Sequence, residues 1–119
     1  MRLGTVIGRV TLTLQEPVYR GGALLLIQPL PRSQYAALSQ KNLQQTDAAA
    51  APRAAAAKPS AAARPGALVA YDQLGAGPGH IVGFTEGAEA AAPFTIDAPV
   101  DAYVACIVDR IDYHPPATA

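Results

Sequence analysis

Residues 2–14 read Arg-Leu-Gly-Thr-Val-Ile-Gly-Arg-Val-Thr-Leu-Thr-Leu, and their spacing decides the fold. The even positions carry Gly4, Val6, Gly8, Val10, Leu12 and Leu14, whereas Arg9, Thr11 and Thr13 occupy odd positions. Alternation with period two and a high content of β-branched residues predict one long strand. Gly4 and Gly8 fall on its apolar face, where glycine permits a sharp bend or close backbone approach, as at the corners of a barrel. Leu3 and Ile7 on the opposite face suggest that the beginning of the strand is covered there too.

Downstream, Gln15 to Gly22 is a turn region with Pro17 and a Gly21-Gly22 pair. Residues 23–28 form a second strand that is apolar on both faces, and Pro29 and Pro31 leave little room for the competing reading of a short buried helix. One face of a strand in a small antiparallel fold normally meets water. A continuous apolar run therefore points to a second chain covering the outside. A short amphipathic helix is expected within Ser33–Asp47, with Tyr35, Leu38 and Leu43 on one side. Of the nineteen residues from Ala48 to Gly66, eleven are Ala and three are Pro. Such a stretch buries too little apolar surface to offset its ordering entropy, so residues 31–66 are expected to be a mobile surface insertion.

Residues 67–73 return to strand, a glycine-rich loop follows from Leu74 to Gly79, and His80–Thr85 forms another short strand. Glu86–Ala92 favours a helical turn or two with Thr85 as N-cap, and Pro93 stops it. Residues 100–113 form a last long strand with two apolar faces, and Pro115 and Pro116 end the ordered chain. The sum is an all-β chain: a small OB-like antiparallel five-stranded barrel with one short helix late in the sequence. A single domain over 1–113, interrupted by 31–66 and followed by a tail at 114–119, accommodates every element. Two strands with two apolar faces in a chain this small imply an oligomer.

The 119 residues carry nine basic and nine acidic side chains, a formal charge of zero. Phosphate-backbone binding rests on an excess of Lys and Arg, so neither nucleic acid nor an anionic membrane surface is an expected partner. Cys106 is the one cysteine, which excludes an internal disulfide and fits a reducing cytosolic setting. The N-terminus opens directly in strand-like sequence with no apolar leader, and no apolar run approaches the ~20 residues of a membrane span.

No constellation supports enzyme chemistry, and no cofactor or metal is expected. Gly75-Ala76-Gly77-Pro78-Gly79 lacks the glycine spacing and following helix of a dinucleotide fingerprint, and it lacks the Lys of a P-loop. A tight turn is its plain structural reading. His80 and His114 have no second ligand at metal-binding spacing. Asp109 and Asp112 fall on opposite faces of the last strand, and Cys106 sits in an apolar strand as a small core residue. Ser33, Ser39 and Ser60 lie in the insertion, a poor place for a pre-organised nucleophile.

Four blocks, in order, resemble the EutN/CcmL family of pentameric vertex proteins from bacterial microcompartments and carboxysomes. They are Met1–Val10, Gly22–Leu30, Asp72-Gln73-Leu74-Gly75-Ala76-Gly77, and Pro99–Ala102 running into Ile107–Asp109. The third, matching D-x-x-G-A-G, is the most specific. The resemblance implies a barrel assembling as a cyclic homopentamer that caps shell vertices beside hexameric shell proteins, in the cytoplasm, with a narrow pore and no catalysis. It makes Gly75, Ala76 and Gly77 candidates for the pore loop, while Asp72 is expected to fix the turn into that loop by accepting backbone amides.

Together with the doubly apolar strands, the resemblance makes Leu25, Ile27, Tyr103, Ala105 and Ile107 candidates for the subunit interface. Two features depart from the family pattern. Residues 31–66 replace a short turn, as a tolerated loop expansion or, less simply, a tether for cargo or a neighbouring tile. Thr85–Glu89 is acidic where many members carry Ser and Arg. The competing reading is an OB module gripping single-stranded nucleic acid or an oligosaccharide, which needs a basic groove with stacking aromatics. The aromatics are present, but a basic stripe is not. An enzyme ranks third.

Overall fold

The computed structural model describes residues 1–39 and 66–116. Five strands form a closed barrel: β1 (Arg2–Val10), β2 (Ala23–Pro29), β3 (Leu68–Asp72), β4 (Ile81–Glu86) and β5 (Ala102–Ile107), in the circular order β1-β2-β3-β5-β4. Four seams are antiparallel. The fifth, between β3 and β5, is parallel and rests on the single register pair Tyr71–Tyr103. The expected barrel is present, with this one correction to its all-antiparallel description.

The interior is filled by Val6, Leu25, Ile27, Ala70, Val82, Phe84, Ala102 and Val104. Gly4 is required on this face. A Cβ there would lie 2.5 Å from Ile27 Cγ2 and 3.1 Å from Phe84 Cε1, and 3.0 Å from the Gln28 carbonyl. The barrel closes tightly enough that only a bare backbone fits, the role foreseen for glycine in β1.

Both long strands are shorter than their sequence pattern. β1 stops at Val10, paired with Leu24, because β2 offers nothing beyond Ala23; residues 11–16 run on exposed. β5 spans six residues rather than fourteen, ending where β4 begins. β1 also contains an irregularity at Ile7: Val6 pairs with Ile27, but Gly8 pairs with Leu26. The extra residue switches the pleat. Val6 faces inward as expected, whereas Gly8 and Val10 line up with Leu26 and Leu24 on the outer side.

The late helical segment is a 3-10 turn, Gly87–Ala91, and Thr85 belongs to β4 instead of capping it. The capping position falls on Glu86, whose carboxylate makes no cap bond and pairs with Arg2 at 2.7 Å. Gly87, at φ +77°, supplies the left-handed backbone that turns the chain out of β4. In the insertion, a 3-10 turn (Arg32–Gln34) leads into a short helix, α1 (Tyr35–Ser39). The remainder of the expected helix, including Leu43, lies outside the described residues. The base of the insertion is fastened to the end of the chain. Tyr113 donates its backbone N–H to Ser39 Oγ at 3.0 Å, and its ring meets Tyr35 edge-on at 5.6 Å.

Candidate assembly surfaces and glycine loop

The glycine loop joins β3 to β4 across one end of the barrel, with Ala76 packed against the core. Asp72, the last residue of β3, is 2 % exposed, and its carboxylate organises the first half of the loop. It accepts the backbone N–H of Leu74 at 3.1 Å, Gly75 at 3.0 Å and Ala76 at 2.9 Å. Three donors folded around one carboxylate satisfy amides that a tight turn leaves without ladder partners. Gly75 adopts φ +87°, a conformation costly for any residue with a Cβ.

The second half of the loop is tied by His80. Its Nδ1 accepts the Gly77 N–H at 2.8 Å, while its own N–H returns to the Gly77 carbonyl at 3.0 Å. Gly79 N–H to Val6 O and Val6 N–H to His80 O, both 2.9 Å, join the loop to β1. The sequence reading gave His80 no role. Its signal was the three-residue spacing from Gly77, within reach of a local side-chain bond.

The outer wall is apolar on two separate sides. On one side, Leu24 and Leu26 of β2 are half-buried, Val69 of β3 opposite Leu26 is 42 % exposed, and Ile7 at the β1 irregularity is 38 % exposed. On the other side, β5 bulges between its pairings to Gly83 and Phe84, which leaves Ala105 unpaired and exposed. Ile107 returns opposite Val82 at the barrel mouth and stays 36 % exposed.

This geometry corrects two of the interface candidates. Leu25 and Ile27 are 2 % and 0 % exposed inside their own barrel, so neither has surface to give a neighbour. Because β2 is apolar on both faces, the sequence left open which side points out, and the register puts Leu24 and Leu26 there. Tyr103 is half-buried and engaged within the chain: it donates to Gln73 Oε1 at 2.9 Å and stacks on Tyr71 at 6.3 Å.

Tyr71 is the centre of an aromatic cluster outside the barrel, with ring centroids of Tyr19 at 6.0 Å and Phe94 at 5.2 Å. Its hydroxyl donates to the carbonyls of Tyr19 and Arg20 at 3.1 and 3.4 Å. The Tyr19 hydroxyl in turn donates to the Pro99 carbonyl at 2.7 Å. The cluster fastens the long connections before β2 and β5 to the parallel seam. Base stacking requires free aromatic faces. Tyr71 and Phe84 are 1 % and 0 % exposed, Tyr19 packs on Tyr71, and Phe94 and Tyr103 meet edge to face, so the OB-type nucleic-acid reading has no platform among these rings. Among the described residues, no three His, Cys, Asp or Glu side chains are grouped to hold a metal, and no helix is long and apolar enough to cross a membrane.

The strand order and loop define a small OB-type barrel with an aspartate-anchored glycine loop over one end. The chain belongs to the EutN/CcmL family: residues 1–109 match the family described as ethanolamine utilisation protein EutN/carboxysome. Among solved structures it is similar to the GrpN pentameric microcompartment shell protein from Rhodospirillum rubrum, at 25 % identity and a TM-score of 0.60, covering 97 % of this chain and 100 % of that one. It is also similar to CcmL of Gloeobacter violaceus (27 %, TM-score 0.59, 95 % and 96 % covered) and of Nostoc sp. PCC 7120 (28 %, TM-score 0.59, 93 % and 92 % covered). Curated protein sequences give no match.

Proposed function

We propose that five copies of this chain form a ring that closes the vertices of a bacterial microcompartment shell in the cytoplasm, and that its role is structural rather than catalytic. The observation that carries this reading is the pair of unlike apolar patches on one barrel. A patch that meets its own copy gives a twofold dimer, whereas two different patches that meet each other give a ring when the rotation between copies closes. Leu24, Leu26 and Val69 form one patch, and Ala105 and Ile107 the other. Family membership and pentameric shell relatives of nearly equal length supply the number five.

Gly77 supports an axial position for the loop. Its φ is not in the left-handed region, and nothing lies within 4 Å of where its Cβ would stand. Nothing among the described residues demands glycine at this position; crowding by the same loop from neighbouring subunits would. Gly75, Ala76 and Gly77 are therefore assigned to the pore rim. Hexameric shell proteins are the partners at the ring's edge, because a lattice of sixfold tiles stays flat unless fivefold positions curve it shut. The 31–66 insertion is the candidate tether for cargo, and its first segment is bonded to Tyr113 through Ser39.

The test is co-expression with hexameric shell proteins. Closed polyhedral shells are expected when this chain is present, with open sheets or tubes when it is omitted. Closed shells in its absence would remove the vertex role.

A further inference from the structure

We propose that His80 is a pH-sensitive latch on the glycine loop, holding Gly77 when its imidazole is neutral and releasing it when the ring is protonated. A backbone N–H only donates, so the 2.8 Å contact from Gly77 N to His80 Nδ1 requires an unprotonated Nδ1, with the ring proton on Nε2. An imidazolium carries a proton on both nitrogens. Two donors cannot face each other at that distance, so protonation must turn the ring away or move Gly77.

The surroundings allow that movement to stay local. The Asp72 carboxylate holds Leu74, Gly75 and Ala76 without help from the histidine. The backbone bonds of Gly79 and His80 with Val6 keep the start of β4 in place. Between these anchors stand Gly77, whose carbonyl keeps its bond from the His80 backbone N–H but which has open space where a side chain would be, and Pro78, which has no N–H to contribute. Once the imidazole lets go, the Gly77 N–H has no other acceptor nearby among the described bonds.

Among the described residues, the elements beside His80 carry few titratable groups. The loop and β3 contribute Asp72, and β1 passes His80 with Thr5, Val6 and Ile7, none of which changes charge. The end of β5 contributes Asp109, next to Val108, whose N–H bonds the Ile81 carbonyl at 2.8 Å. Neither carboxylate forms an ion pair with His80 among the described residues. Histidine is the side chain that changes charge between pH 5 and 8. Where the loop rims a pore, as proposed above, acidification loosens that rim. This consequence rests on the pentamer, but the latch itself belongs to a single chain.

The experiment is amide hydrogen exchange by NMR on the full chain at about pH 8 and about pH 5, corrected for intrinsic exchange rates. Protection of the Gly77 amide should fall on the order of five- to tenfold at the lower pH, the worth of one ordinary hydrogen bond. Protection at Gly75 and Ala76 should hold. His80→Gln offers a carbonyl acceptor that does not titrate and should abolish the pH dependence, while His80→Ala should leave Gly77 weakly protected at both values. Imidazole nitrogen shifts of the wild-type chain, which need no variant, should show the Nε2–H tautomer at the higher pH. An unchanged Gly77 amide, the same loss in His80→Gln, or an Nδ1–H tautomer would overturn the latch.

Discussion

Replacing Asp72 by Ala removes the acceptor of three backbone amides in one step, at a residue that is 2 % exposed. Hydrogen bonds to charged groups contribute about 1.5–3 kcal/mol each. Bonds that share one carboxylate do not add independently, and the freed amides at exposed Leu74 and Gly75 can turn to water. The expected loss for Asp72→Ala is therefore about 3 kcal/mol, the value of one or two such bonds rather than three. Asp72→Asn keeps one carbonyl oxygen but aims an NH2 group at an amide donor, so it should lose about half as much. The chain has no Trp, so urea unfolding is best followed by far-UV circular dichroism, at fixed protein concentration because assembly adds to apparent stability. Amide exchange at Gly75 and Ala76 should accelerate in parallel. A loss below about 0.5 kcal/mol with unchanged exchange would mean that the carboxylate does not hold the loop.

Other substitutions probe separate parts of the structure. Gly4→Ala should cost about 1–3 kcal/mol by overpacking, because its Cβ would press on Ile27 and on the Gln28 backbone; unfolding midpoints decide it. Phe84→Ala should cost about 3–5 kcal/mol, since Phe84 is wholly buried in the barrel. Ala105→Asp and Ile107→Asp should leave the monomer fold intact by circular dichroism but prevent assembly, because a charge without a partner at an apolar contact is costly; retained rings in both variants would clear that face of any role. Gly77→Ala should fold normally and alter only the assembled protein, seen as weakened or distorted rings in electron microscopy.

The barrel was legible because its strands announce themselves by alternation and β-branched residues, and because glycine at position 4 is where a closed barrel needs one. Asp72 was legible through the resemblance of residues 72–77 to D-x-x-G-A-G, since an aspartate entering a tight turn accepts backbone amides. What escaped has physical causes. The irregularity at Ile7 leaves no mark, since the sequence alternates smoothly through it, yet it reverses which residues of β1 face out. In β2 both faces are apolar, so periodicity cannot separate Leu25 and Ile27, which fill the core, from Leu24 and Leu26, which do not. The aromatic cluster joins residues as far apart as Tyr19, Tyr71, Phe94 and Tyr103 through a parallel seam that only the folded topology creates. The long apolar pattern of 100–113 ran past β5 because strand length is set by the partner available, and β4 ends the pairing at Ile107.

The central claim is that unlike apolar patches on one barrel meet in a closed ring. Native mass spectrometry of the full chain at micromolar concentration tests it most directly. A single assembled species of five chains is the predicted result; a stable monomer, or a twofold dimer, would contradict it.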